Sequence, residues 1–225
     1  MSAVVIALIG GSGSGKTTLA ESLATAIAAR HGAVSVTRLA EDDYYHDRAS
    51  IPGFDPASYD FDRPEAKDFP LLVQHLTHLR AGQAVRRPVY SHATHSRVGE
   101  AEVAPRPVIL LEGMHALGQL HGQGVIDAAV FLDTPDDVRL ARRLMRDVKP
   151  QAEGGRDRTY PQGLAQYFRA VWRGQMLYVA PQRALADFVL NDSTPPVEAV
   201  SCDLSAVVLA NTAAVMAFLT ARGLV

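Results

Sequence analysis

The run Gly10-Gly11-Ser12-Gly13-Ser14-Gly15-Lys16-Thr17 has the spacing G-x4-G-K-[ST], a set of residue types suited to holding a polyphosphate. Glycines let the backbone approach an anion closely and take positive φ. The N–H groups of such a loop, with the first turn of a helix behind them, form an anion cradle. The lysine adds charge at the terminal phosphates, and the hydroxyl beside it suits Mg²⁺. The predicted nucleotide-binding residues are therefore Gly10, Gly11, Ser12, Gly13, Ser14, Gly15, Lys16, Thr17 and Thr18, with Thr17 also on the metal. Lys16 is one of only three lysines against 19 arginines, which fits a position that needs a compact point charge.

Two acidic segments are candidates to work with this loop. Ile109-Leu110-Leu111-Glu112-Gly113 is an apolar run ending in a carboxylate, the usual place for a second metal-side acid. Glu41-Asp42-Asp43-Tyr44-Tyr45 follows another apolar run, and a carboxylate at the C-terminal edge of a strand faces the ligand crevice of an open α/β sheet. An aspartate there could accept the proton of an alcohol undergoing phosphorylation. From the residues alone, a solvated acidic turn is an equal reading of that second segment. No Asn-Lys-x-Asp base reader accompanies the loop, so a GTPase switch is not expected, and a small-molecule kinase suits the length.

The elements that must position these residues follow from hydrophobic periodicity. Strands are predicted at Val4–Ile9, Val34–Leu39, Val108–Leu111, Val130–Leu132 and Phe188–Leu190. Helices are predicted at Thr17–Arg30, Pro64–Arg80, Pro135–Asp147, Pro161–Leu177 and in the uncharged stretch Leu204–Ala221. Strands alternating with helices imply a parallel sheet covered on both faces, an α/β fold. Residues 43–63, rich in Asp, Tyr and Pro, are expected to line a substrate pocket, and the polar, Gly- and Arg-bearing stretch 148–160 to form a mobile lid.

Composition narrows the function classes. With 225 residues, 48% of them hydrophobic, the chain can bury one sizeable core without staples. A net charge of −2 argues against a protein built to hold nucleic acid or an anionic membrane. One cysteine, Cys202, excludes a disulfide framework, fits a reducing cytoplasmic setting and reads as a core side chain. The run Ala3–Ile9 lacks the basic leader and cleavage site of a signal peptide, and the C-terminal uncharged stretch reads as a packed helix, not a membrane span. His75 and His78 sit in a Leu-rich helix with no cysteine near, so packing is preferred to zinc there, and His92-x-x-His95 is treated alike. The row Arg139, Arg142, Arg143, Arg146 would by itself be a solvated helix face. Phe168 and Trp172 read as packing residues, and Tyr167, Val171 and Met176 as the core face of an amphipathic helix.

Six short blocks occur in one order: the loop 10–17, Asp42-Asp-Tyr-Tyr45, Phe61-Asp62-x-Pro64, Pro88-Val-Tyr90 with His95-Ser-Arg97, Leu111-Glu-Gly113, and Arg142-Arg-x-x-Arg146-Asp147. In that order and spacing the chain resembles the uridine–cytidine kinase family of P-loop kinases, from the first strand to about Asn191. The resemblance implies transfer of the ATP γ-phosphate to the 5′-hydroxyl of uridine or cytidine, with Mg²⁺. It implies Asp42 as general base and a metal-side ligand with Thr17 and Glu112. It implies Tyr45, Phe61 and Tyr90 as walls of the nucleoside pocket, with His92 where Phe or Tyr is usual. Asp62 and Arg143 would hold the ribose hydroxyls, His95 the base edge, and Gln166 would lie near the nucleoside. Lys16, Arg146 and Arg156 would act on the transferring phosphate. Asp43 stands where Ser is common and would raise the pKa of Asp42. Gly154 stands where an arginine is expected.

The expected fold is a single P-loop domain over residues 1–225, with a five-stranded parallel sheet, an arm or hairpin around 85–105 and a lid near 148–160. The expected partner is a small nucleoside, with neither nucleic acid nor membrane, in a homo-oligomer (a tetramer by the resemblance). Two alternatives stay open: a kinase of another alcohol, of pantothenate or phosphosugar type, and a catalytically silent nucleotide-binding module.

Overall fold

The computed structural model describes residues 2–33, 35–56, 58–192 and 205–225. Its main sheet has five parallel strands in the order β2-β5-β1-β6-β7: β1 (Val4–Ile9), β2 (Val36–Ala40), β5 (Val108–Gly113), β6 (Ala128–Asp133) and β7 (Phe188–Asn191). β1 is central and pairs with β5 from Val4↔Val108 to Ile9↔Gly113, and with β6 from Ile6↔Ala128 to Ile9↔Phe131. Because side chains alternate along a strand, Val5, Ala7 and Ile9 fall on one face of β1 and Ile6 and Leu8 on the other. Each face has its own core. The first is covered by α2 (Phe69–Arg80) and α3 (Ala116–Leu120). The second is covered by α1 (Lys16–His31), through Leu19, Leu23 and Ile27, and by the C-terminal α6 (Ser205–Ala221), through Val215, Met216 and Leu219. Burial on both faces is why these strands read as continuous apolar runs.

A separate antiparallel hairpin, β3 (Val85–Ser91) and β4 (Ser96–Val103), occupies the region expected to form an arm, with a bulge at Val89/Tyr90. α4 (Asp136–Asp147) follows β6, with Pro135 just ahead of it. No helix among the described residues is long and apolar enough to cross a membrane. Cys202 lies outside the described residues.

Three elements differ from the sequence reading. The helix expected over Pro64–Arg80 is two pieces. A tight turn, Pro64–Ala66, is followed by extended backbone at Lys67, and α2 begins only at Phe69. Lys67 bridges Tyr45 antiparallel, Asp68 N–H donates to the Tyr44 carbonyl at 2.8 Å, and the Asp68 side chain caps α2 by accepting from Leu71 N–H at 3.1 Å. Pairing with the segment after β2 thus overrides helical periodicity.

The second is the helix expected over Pro161–Leu177. α5 (Tyr160–Gln166) opens with a Thr159/Gln162 capping box, and wider π turns at Tyr167–Val171 and Gln175–Val179 follow it. Tyr167 and Val171 are buried, but Phe168, Trp172 and Met176 are exposed, 61%, 47% and 52%, and do not pack in the core. Phe168, Trp172 and Met176 are spaced four apart and share one outward stripe, while Tyr167 and Val171 share the inward one.

The third is the arginine row of α4. It is not a solvated face, for Arg139 and Arg143 are buried.

Candidate active site

The loop between β1 and α1 is shaped by backbone geometry. Gly13 (φ 83°) and Gly15 (φ 90°) are left-handed, and a side chain at Gly13 would strike the Arg139 carbonyl. The buried Arg139 braces this loop from behind, donating from Nε to the Thr134 carbonyl at 3.2 Å and pairing with Asp136. Lys16 Nζ donates to the Gly11 carbonyl at 2.9 Å, curled back over its own loop. Burial pulls its pKa down to about 8, although Asp42 and Glu112 oppose the shift.

Thr17 Oγ1 donates to Glu112 Oε2 at 2.6 Å, and Arg38 Nη2 holds the other carboxylate oxygen at 3.3 Å. A hydroxyl and a carboxylate are therefore side by side at the mouth of the loop. These are hard oxygen donors, suited to a cation that keeps most of its shell as water and phosphate. Among the described residues there is no cluster of three or more His, Cys, Asp or Glu side chains that could hold a metal ion.

Two cavities flank this point. One, of about 500 Å³, is lined by the loop from Ser12 to Thr18, by Glu112 and by α6 residues including Asn211. The second, of about 870 Å³, is lined by Tyr45, Phe61, Asp62, His92, His95 and Gln166 among others. Gly10 and Gly11 line neither, because their backbone is pressed against Leu132, Arg139 and Gln175. The two cavities share Ser12, Asp42, Met114, Arg143 and Arg146.

Asp42 stands at that junction with its side chain 53% exposed. Its Oδ1 accepts from Lys67 Nζ at 2.7 Å. Lys67 is buried, pairs also with the buried Glu41, and lies 4.6 Å from the Tyr45 ring centroid. Glu41 in turn accepts from the N–H groups of His115 and Ala116 at the start of α3, both at 2.8 Å. Partial desolvation by the surrounding protein works to raise the Asp42 carboxyl, but the Lys67 ammonium outweighs it and holds the group below the ordinary carboxylate range. Burial likewise opposes the charge on Lys67, and Asp42 and Glu41 together hold it well above its usual value. The expectation that Asp43 raises Asp42 is therefore overturned. Asp43 is paired with Arg87 on the hairpin, and burial raises its own pKa.

The wall of the larger cavity is aromatic. Tyr45 lies against Phe61, Tyr90 and His92 at centroid distances of 5.9, 5.1 and 5.9 Å. Phe61 and His95 stack at 4.8 Å. Tyr90 supports Tyr45 and His92 from behind and does not line the cavity. Burial lowers the pKa of both His92 and His95, favouring neutral imidazole. Among the described residues, His95 Nδ1 and Gln166 Oε1 are buried without hydrogen-bond partners, and both side chains line the cavity.

Asp62 and Arg143 are both buried and both line the cavity. Burial raises Asp62 against the pull of Arg143, which donates to Ser12 Oγ at 2.6 Å. Arg146 Nη2 holds Asp147 Oδ1 at 2.7 Å, and Arg158 holds the same carboxylate's other oxygen at 2.9 Å. Arg156 donates to the Gly155 carbonyl at 2.8 Å and keeps its charge toward the cavity. The segment with Gly154 (φ 80°) folds over α4, for Arg158 N–H donates to the Asp147 carbonyl at 3.0 Å.

Sequence reasoning missed Lys67, Glu41 and Met114. One signal was available: lysine is scarce in this chain, and two of its three copies stand at this site.

The phosphoribulokinase/uridine kinase family model matches residues 5–198. The chain belongs to that family. A uridine kinase of Aeromonas hydrophila is 37% identical over 190 residues, 84% of this chain and 86% of the relative. A uridine kinase of Listeria monocytogenes is 36% identical over 188 residues, 83% and 86% of the two chains. A solved structure of a possible uridine kinase from Bacillus stearothermophilus shares the fold, with a TM-score of 0.58 at 20% identity over 84% of this chain and 89% of that one.

Proposed function

We propose that the protein transfers the γ-phosphoryl group of ATP to the 5′-hydroxyl of uridine or cytidine, the first step of pyrimidine salvage. The observation that carries this reading is the junction: a phosphate-loop cavity and an aromatic-walled acceptor cavity share the carboxylate of Asp42. A hydroxyl in the larger cavity can give its proton to Asp42 while its oxygen approaches the terminal phosphorus of a triphosphate held by the loop. The new O–P bond forms as the bond to the β–γ bridging oxygen breaks, and ADP leaves.

Little covalent help is needed, so alignment and charge carry the step. Lys16, Arg146 and Arg156 surround the position of the transferring group. Mg²⁺ at Thr17, Glu112 and the Asp42 side would supply neutralisation of the phosphate charge. Asp62 and Arg143 can bracket a cis-diol as acceptor and donor, which distinguishes ribose from deoxyribose. His95 Nδ1 can take either tautomeric role at position 4 of the base, so uracil and cytosine both fit. On the same reading the domain spans residues 1–225, the segment 148–160 acts as a lid, and the protein works in the cytoplasm as a homo-oligomer.

A second reading is a phosphosugar acceptor. It is favoured by Arg169 and Arg173, which also line the larger cavity. The test is ADP release with uridine, cytidine, deoxycytidine and a sugar phosphate side by side. Saturation by uridine or cytidine, with deoxycytidine weaker, is expected. Saturation by the sugar phosphate alone replaces this reading with the second.

A further inference from the structure

The catalytic carboxylate needs a fixed orientation. The terminal torsion of an aspartate is broad, so Asp42 alone would present either oxygen over a wide arc. In this chain a relay of contacts removes that freedom. The two backbone N–H groups opening α3 fix Glu41 at 2.8 Å each. Glu41 and the Tyr45 ring fix the Lys67 ammonium, which has no exposed side-chain surface. Lys67 then holds Asp42 Oδ1 at 2.7 Å. Among the described residues, Asp42 Oδ2 accepts no hydrogen bond.

The arrangement is also expensive to build. An ammonium with no exposed side-chain surface and a fully buried carboxylate carry a desolvation cost that a well-packed apolar pair would avoid. A core that only needed filling would not require it. The extended backbone at Lys67, where helical periodicity continues in the sequence, is the local departure that delivers the ammonium to Asp42.

We infer that Lys67 is a positioning residue for phosphoryl transfer, fixing the Asp42 carboxylate so that one chosen oxygen meets the acceptor's hydroxyl. This rests on the reading of Asp42 as the proton acceptor. Lys67 lines neither cavity, and its contact with the site runs through Asp42.

The test removes the buried pair without leaving a lone charge. In Glu41→Gln/Lys67→Met both charges go together. In Glu41→Gln/Lys67→Gln a side-chain donor remains near Asp42. Thermal unfolding checks that each folds. For the Met form, kcat is expected to fall on the order of 10- to 100-fold, the scale of a misplaced catalytic group, while the KM for the acceptor and the Kd for ATP stay within about 3-fold. The Gln form is expected to recover part of kcat. Asp42→Asn should then cost far less in the Met background than in the parent, which shows that Lys67 acts through Asp42.

A folded Met form with kcat within about 3-fold of the parent would overturn the inference, as would an undiminished Asp42→Asn effect. If the Met form does not fold, the Asp42→Asn comparison is made in the Gln form, where an undiminished effect overturns the inference. The parent is first run on the acceptor panel, and the cycle uses whichever alcohol turns over. Failure with uridine alone therefore counts against the nucleoside reading and leaves Lys67 testable. A parent that phosphorylates no alcohol overturns both.

Discussion

The donor loop and the acceptor cavity meet at Asp42 and are built in opposite ways. The loop is one contiguous run, held by left-handed glycines and braced from behind by the buried Arg139. The cavity is assembled from the segment after β2, the hairpin, α4 and the α5 region, and its shape depends on side chains such as Tyr45, Phe61 and His95. A backbone site of the first kind tolerates little change and serves any triphosphate. A side-chain site of the second kind can alter its acceptor without disturbing the first.

The comparison breaks if damage to the loop is selective among acceptors. Gly13→Ala forces a left-handed alanine against the Arg139 carbonyl. ATP affinity should fall on the order of 100-fold, with every acceptor losing turnover alike, as titration calorimetry and ADP release can show. Selectivity belongs to the other side. Asp62→Asn should cost roughly 10- to 100-fold in kcat/KM for uridine and less for deoxyuridine, which presents only one hydroxyl of the cis-diol. Equal losses for both would remove Asp62 from ribose recognition.

The donor side also has a pH signature. Lys16 in the free protein has its pKa lowered to about 8 by burial, against Asp42 and Glu112. Bound triphosphate favours the cation and raises that value. ATP affinity should therefore be greatest below about pH 8 and weaken as pH rises through it, by up to about tenfold per unit. Calorimetry in buffers of different ionisation enthalpy should detect proton uptake on binding near pH 8 and little near pH 6.5. The smallest effect expected is at the outward stripe of the α5 region. Trp172→Ser should change stability by no more than about 0.5 kcal/mol by thermal unfolding, since nearly half of that side chain is already in solvent.

Most of the fold was legible because its signals are local. The apolar run of β1, the glycine loop and the stripe Leu19, Leu23, Ile27 occur in sequence as they act in space. The loop's place between β1 and α1 was legible for the same reason. Asp42 was ambiguous until its neighbours were known, for a carboxylate after a strand reads alike whether it belongs to a solvated turn or lines two cavities. Lys67 was hidden because its partners, Glu41 and Asp42, lie 26 and 25 positions away and its own segment reads as helix. Asp43 misled because Arg87 arrives from the hairpin, a contact that no local pattern encodes. Met176 misled because it stands four positions after Trp172 and shares that residue's exposed stripe, not the stripe of Tyr167 and Val171.

The central claim is that the carboxylate at the junction of the two cavities takes the acceptor's proton. Asp42→Asn keeps the side chain's size and can still meet Lys67 through its amide oxygen, but cannot accept that proton. Measured together, kcat for uridine should fall on the order of 10²- to 10⁴-fold while the Kd for ATP stays within about 3-fold. Turnover within a few-fold of the parent, with ATP still bound, would contradict the account.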